Sequence, residues 1–176
     1  TGRRAGLKIQ WDLSHESSSL SLGTKLILYN IVCMLYIAAD HQGRLVLNGL
    51  LAFLDELQQE YEVVGKELYT PEDDYPDFAK EVVVKVLEDK ENRGILLCGS
   101  GQGMVIAANR FKGIRCGICW NEQEATLARS DDDINALSLS RYLFENENWK
   151  DIVTAFLTTE FKNEEKYIRR RNKLDL

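Results

Sequence analysis

From residue 34 onward, short apolar runs alternate with stretches in which apolar residues recur every three or four positions. Leu35 to Ala39 is a run of strand type, closed by the turn-forming Asp40-His41-Gln42-Gly43 and followed by helical periodicity from Leu45 to Leu57. The cycle then repeats. Glu62 to Gly65 reads as a strand, Tyr75-Pro76 opens a helix running to about Asp89, and Gly94 to Cys98 reads as the next strand. A glycine-rich loop, Gly99 to Gly103, leads into a helix ending near Arg110. Ile114 to Cys119 and Ala136 to Leu139 complete the strands, with helices at Glu122–Ser130, Trp149–Thr158 and Glu164–Asn172.

Strands alternating with helices of this length pair in parallel through right-handed crossovers, so the helices must cover both faces of the sheet. The pattern predicts a doubly wound, Rossmann-like α/β fold with a five-stranded parallel sheet. In such folds ligands sit beyond the carboxyl ends of the strands, where the strand order reverses. Asp40, His41, Cys98 and Ser100 all fall at such ends.

Residues 1–33 contain a serine-rich stretch, Ser14 to Ser21, and show no period, whereas Met34 opens the first strand. Residues 1–33 therefore read as an N-terminal extension, of native or non-native origin, and residues 34–176 as one domain. A targeting peptide is the other reading, weakened by Asp12 and Glu16.

The 176 residues and their 44% hydrophobic content suit one such domain. A formal charge of -6 argues against a nucleic-acid partner, which needs a basic face. No apolar run approaches the roughly 20 residues that span a bilayer; Leu26 to Ala39 is the best candidate and is broken by Tyr29 and Asn30. Cys116 and Cys119 form C-x-x-C, but no second pair completes a zinc site. Within an apolar run they read as buried strand thiols. A redox pair would need the motif at a helix start. Reduced cysteines predict a cytoplasmic protein.

Cys98 closes an apolar strand and precedes Gly99-Ser100-Gly101-Gln102-Gly103. Its thiol would sit beside backbone amide donors ahead of a helix, an arrangement expected to favour the thiolate and to hold an anion. A cysteine at a strand end is by itself more often a small buried side chain. A dinucleotide reading of the loop fails because Met104 stands where G-x-G-x-x-G requires its third glycine.

Asp40-His41-Gln42-Gly43, Asp74-Tyr75-Pro76, Gly94-Ile95-Leu96-Leu97-Cys98-Gly99-Ser100-Gly101, Ile106-Ala107-Ala108-Asn109 and Gly113-Ile114-Arg115 together resemble ribose-5-phosphate isomerase B and its superfamily relative galactose-6-phosphate isomerase. The resemblance runs in order from about Met34 to Leu174. It implies an aldose-ketose isomerase, an intramolecular oxidoreductase working through a cis-enediolate, without metal or organic cofactor. Cys98 would carry the proton between C2 and C1, and Ser100 with the amides of Gly99, Gly101 and Gly103 would stabilise the enediolate oxygens. The resemblance places phosphate recognition at His41, Arg141, Lys166 and Arg170, some reaching across a subunit interface in a homodimer or homotetramer with shared active sites. Lys166 replaces an arginine and loses its bidentate fork. Asp40, Tyr75 and Asp132 would bind sugar hydroxyls, and Asn109 would fix the loop.

Relatives of this type place a ring-opening histidine where this chain has Asp131, in Ser130-Asp131-Asp132-Asp133. Like charges could raise the Asp131 pKa enough for it to move a proton in the histidine's place. A solvated acidic turn is the plainer reading. The substrate implied most directly is ribose 5-phosphate, converted to ribulose 5-phosphate. The alternative function is a non-catalytic sugar-phosphate-binding module, and a cysteine hydrolase using Cys98 and His41 ranks third because nothing marks an orienting group.

Overall fold

The computed structural model describes residues 34–65, 73–146 and 148–174. Cys33 and the extension expected at residues 1–33 lie outside the described residues.

The strands are β1 (Leu35–Ala39), β2 (Tyr61–Val63), β3 (Arg93–Cys98), β4 (Cys116–Ile118) and β5 (Ala136–Ser140). The helices are α1 (Arg44–Glu56), α2 (Tyr75–Val86), α3 (Gln102–Ala108), α4 (Glu122–Asp132), α5 (Asn148–Thr158) and α6 (Glu165–Arg171). The strands form one parallel sheet in the order β2-β1-β3-β5-β4, as the alternating pattern predicts. β1 and β5 are buried along their whole length, whereas β2 and β4 sit at the edges with partly exposed residues. A short strand with a wet side can tolerate an edge; a continuous apolar run cannot.

Strand alternation divides the core in two. Leu35, Ile37, Ile95, Leu97, Leu137 and Leu139 face one way and meet Leu50 and Leu54 of α1 and Ile152, Val153 and Phe156 of α5. Tyr36, Ala38, Leu96, Cys98 and Ala136 face the other way, against Phe78, Val82 and Val86 of α2 and Met104 and Ala108 of α3. Each such leucine, isoleucine or phenylalanine side chain taken fully out of water contributes roughly 1.5–3 kcal/mol, so both helical layers are held by the sheet they cover.

Of the boundaries that differ from the sequence pattern, two have a visible cause. The strand expected from Ile114 begins only at Cys116, because Arg115 N–H is taken by Asn135 Oδ1 at 2.8 Å instead of by a neighbouring strand. The strand expected at Glu62–Gly65 ends at Val63, short of Gly65, whose φ of 102° leaves the extended region. A 3-10 helix at Arg141–Glu145, with no clear periodic signature, caps β5.

The order of strands fixes where a ligand can sit. From β1 the chain winds toward β2, and from β3 it winds toward the β5 and β4 side, so the carboxyl ends of β1 and β3 flank the crevice. Asp40 follows the first of these strands and Cys98 ends the second.

Candidate active site

Asp40 is turned inward by its own backbone. Its Oδ1 accepts from Gln42 N–H at 2.9 Å and Gly43 N–H at 2.8 Å, and its own N–H donates to Leu97 O at 3.1 Å. The residue is only 4% exposed, beside the end of β3. There the Cys98 thiol, also buried, lies near the Asp40 carboxylate and the amides of Gly101 and Gly99. Burial pushes the thiol above its ordinary range, the Asp40 carboxylate adds to that, and the two amides pull the other way without prevailing. The thiolate expected from the loop donors is thus not the resting form; the buried sulfur keeps its proton.

The loop lies close over the sheet because of what its glycines omit. Gly101 has a φ of +82°, which a side chain rarely tolerates. A Cβ on Gly103 would come within 2.8 Å of the Tyr75 ring, so the bare backbone lets that ring rest on the loop. Beneath, two buried hydroxyls of β5 meet the loop carbonyls: Ser138 Oγ donates to Gly101 O at 2.9 Å and Ser140 Oγ to Gly99 O at 2.8 Å. Arg141 N–H also donates to Gly99 O, at 3.2 Å. Ser100 is exposed, with Oγ accepting from Gln102 N–H at 3.4 Å. Exposed His41 follows Asp40, and Arg141 follows β5 with its guanidinium 4.8 Å from the centre of the Tyr142 ring. Asp40, His41, Tyr75, Cys98, Ser100, the loop glycines and Arg141 therefore gather at the carboxyl edge of the sheet.

The other expected site residues lie elsewhere. Asn109 ends α3, where its Oδ1 accepts from Cys116 N–H and its Nδ2 donates to Cys116 O, both at 2.8 Å. It clamps the start of β4 and does not fix the Cys98 loop. Asp131 and Asp132 end α4, just before β5 begins. Asp131 Oδ1 accepts from Lys162 Nζ at 2.6 Å and from Ser130 Oγ at 2.8 Å. Those bonds, that of Lys162 first, hold its carboxyl below the ordinary range, the reverse of the rise expected from neighbouring aspartates. Asp131 as placed in this chain is a fixed ion-pair partner rather than an acid poised to move a proton.

Lys166 and Arg170 lie on α6, with charged groups 4.5 and 5.8 Å from the centre of the Tyr167 ring. The same helix is tied down by Arg171 Nη1, 2.9 Å from Asp133 Oδ2. Asp133 also binds Arg115 and Arg129, each at 2.9 Å, just ahead of β4 and β5. This is the amino edge of the sheet, separated from Cys98 by the length of a strand, roughly 17 Å.

Burial pushes the Cys116 and Cys119 thiols up to about 12 and about 11, as inert buried cysteines should be, although only Cys116 lies within β4. Among the described residues no cluster of three or more histidine, cysteine or acidic side chains could hold a metal ion. No helix of the described residues is long and apolar enough to cross a membrane. Sequence reasoning missed Ser138, Ser140 and Asp133; hydroxyls at alternate positions of an otherwise apolar strand were the available signal for the first two.

The model of the Ribose/Galactose Isomerase family matches residues 35–174. The chain belongs to this family. Ribose-5-phosphate isomerase B of Mycobacterium tuberculosis is 32% identical over 135 residues, covering 77% of this chain and 83% of the relative. Among solved structures, the ribose 5-phosphate isomerase of Thermotoga maritima superposes with a TM-score of 0.75 at 38% identity, over 82% of this chain and 98% of that one. Ribose-5-phosphate isomerase B of Mycoplasma genitalium, with bound ribulose 5-phosphate, gives a TM-score of 0.74 at 33% identity, over 81% and 94% of the two chains.

Proposed function

We propose that this member of the ribose/galactose isomerase family interconverts an aldose phosphate and its ketose, with ribose 5-phosphate and ribulose 5-phosphate as the pair and Cys98 as the base. The observation that carries the reading is the position of Cys98, which ends β3 at the strand-order reversal beside buried Asp40 and opens the glycine loop Gly99 to Gly103. Membership of the family supports it, as does the ribulose 5-phosphate bound to the Mycoplasma genitalium relative.

Asp40 lies beside the thiol and, against the loop amides, makes it harder to ionise. The Cys98 thiolate then removes the proton on C2 of the open-chain aldose. The C2–H electron pair becomes the C1–C2 double bond, and the carbonyl π pair moves onto O1 beside the loop amides, where fixed donors stabilise it without reorganising. The O2 proton passes to O1, the thiol returns its proton to C1, and the ketose forms. Every atom is conserved. His41 and Arg141 would meet the phosphate from the same edge. Lys166 and Arg170, at the far edge, would serve the site of a second subunit, which makes a dimer or larger assembly with shared sites the working form.

A panel of phosphorylated aldoses assayed for ketose formation tests this, with Cys98→Ala as the control. Turnover of ribose 5-phosphate, abolished in the variant, is expected; an inactive purified protein would overturn the isomerase. The protonated resting thiol favours a second reading, a sugar-phosphate-binding module, which predicts unaltered ligand affinity in Cys98→Ala and no wild-type turnover.

A further inference from the structure

We propose that Ser138 and Ser140 are positioning residues for the isomerase reaction, two sheet hydroxyls that orient the peptide groups of the Cys98 loop toward the enediolate. The inference rests on the isomerase reading above.

Positions 136, 138 and 140 of β5 share one face. Ala136 meets that face as an apolar side chain, but the next two residues are hydroxyls with no solvent exposure. A buried hydroxyl is retained at a loss unless it finds a partner, and both find theirs in the same loop. Ser140 Oγ donates to Gly99 O at 2.8 Å and Ser138 Oγ to Gly101 O at 2.9 Å.

In a trans peptide the carbonyl and the following N–H point in opposite directions, and among the described residues there is no cis bond. Holding Gly99 O on the β5 side therefore sends the Ser100 N–H away from β5. Holding Gly101 O fixes the Gln102 peptide in the same way. Between these two pinned planes lies the Ser100–Gly101 peptide, whose amide lies near the Cys98 sulfur.

Glycines flank the pinned carbonyls, and a glycine accepts either sign of φ at little cost. Backbone donors alone also reach the two carbonyls, Arg141 N–H at Gly99 O and Val105 N–H at Gly101 O, but each from 3.2 Å. The shorter serine bonds remove the remaining freedom of the loop. Preorganised donors matter because they do not have to turn when charge develops on the sugar oxygens.

The test uses full-length wild type, Ser138→Ala, Ser140→Ala and the double variant. It measures kcat and KM, affinity for a phosphorylated hydroxamate that mimics the enediolate, affinity for a pentitol 5-phosphate that does not, and amide exchange at Ser100 and Gly101. A positioning role predicts kcat lower by roughly tenfold to a hundredfold per serine, with KM within about twofold. Hydroxamate binding should weaken by the same factor as kcat, pentitol phosphate binding should hold, and the two amides should exchange faster even in a variant with a lowered melting temperature. Active variants with wild-type kcat, or an equal loss of affinity for both ligands, would overturn the proposal while leaving the isomerase intact. An inactive wild type would overturn the isomerase itself and this inference with it.

Discussion

The two ends of the sheet are held together by different chemistry. At the carboxyl edge the Cys98 loop is fastened by neutral hydroxyls and backbone amides, with the Asp40 carboxylate beside the sulfur. At the amino edge three guanidinium groups, of Arg115, Arg129 and Arg171, converge on the single carboxylate of Asp133. That residue itself sits in the left-handed region, with φ 53°, as the cap of α4. The contrast separates two tasks. Charge pairs anchor α4 and α6 away from this chain's own Cys98, whereas neutral bonds hold the edge where a proton must move, leaving the local field to Asp40, the thiol and the loop dipoles.

The sharpest break in this contrast is Cys98→Ala. It should lower kcat by at least roughly a thousandfold, the loss expected of the group that moves the proton, with an unchanged melting curve; an assay of ketose formation beside circular dichroism checks both. Next comes Asp133→Ala, which strands partly buried arginines and should cost about 3 kcal/mol of stability, read from urea unfolding. A cost near zero would mean that the amino edge is not the anchor described here.

Smaller still is Arg170→Ala. Removing one charge-assisted bond to phosphate, worth roughly 1.5–3 kcal/mol, should raise KM at least about tenfold with kcat little changed. Assayed well below KM, coassembly of this variant with Cys98→Ala should reach about a quarter of wild-type activity by random pairing of subunits, because the hybrid then contains one intact site. No recovery would confine each site to one chain.

The subtlest effect is on pH. The thiolate is the reactive form and its pKa is raised, so kcat/KM should climb as pH rises through a value above the ordinary thiol range. Asp40→Asn removes the second cause of that rise and should move the acid limb to lower pH while depressing the plateau. A limb that stays put would break the link between Asp40 and the sulfur.

The sheet was legible because its strands are short apolar runs closed by turn residues, and Leu35–Ala39 and Cys98 fall where periodicity places them. The position of β5 between β3 and β4 was not, since strand order depends on how crossovers pack rather than on any local pattern. At the site, Cys98 and Asp40 could be placed by their strand ends, but the protonation of the thiol could not: loop glycines advertise donors, whereas burial is a property of the folded core. Asp131 misled for a similar reason. Its sequence neighbours are acidic, yet its nearest partner in space, Lys162, lies thirty-one residues away.

The central claim is that Cys98 carries a proton between adjoining carbons of a sugar phosphate. Proton and deuterium NMR of ribose 5-phosphate in deuterated water measures that step directly. Because a thiol proton exchanges with solvent during the lifetime of the enediolate, wild type should incorporate deuterium at C1 of the ketose, and Cys98→Ala should show no more than the uncatalysed background. Exchange at the wild-type rate in the variant would contradict the account.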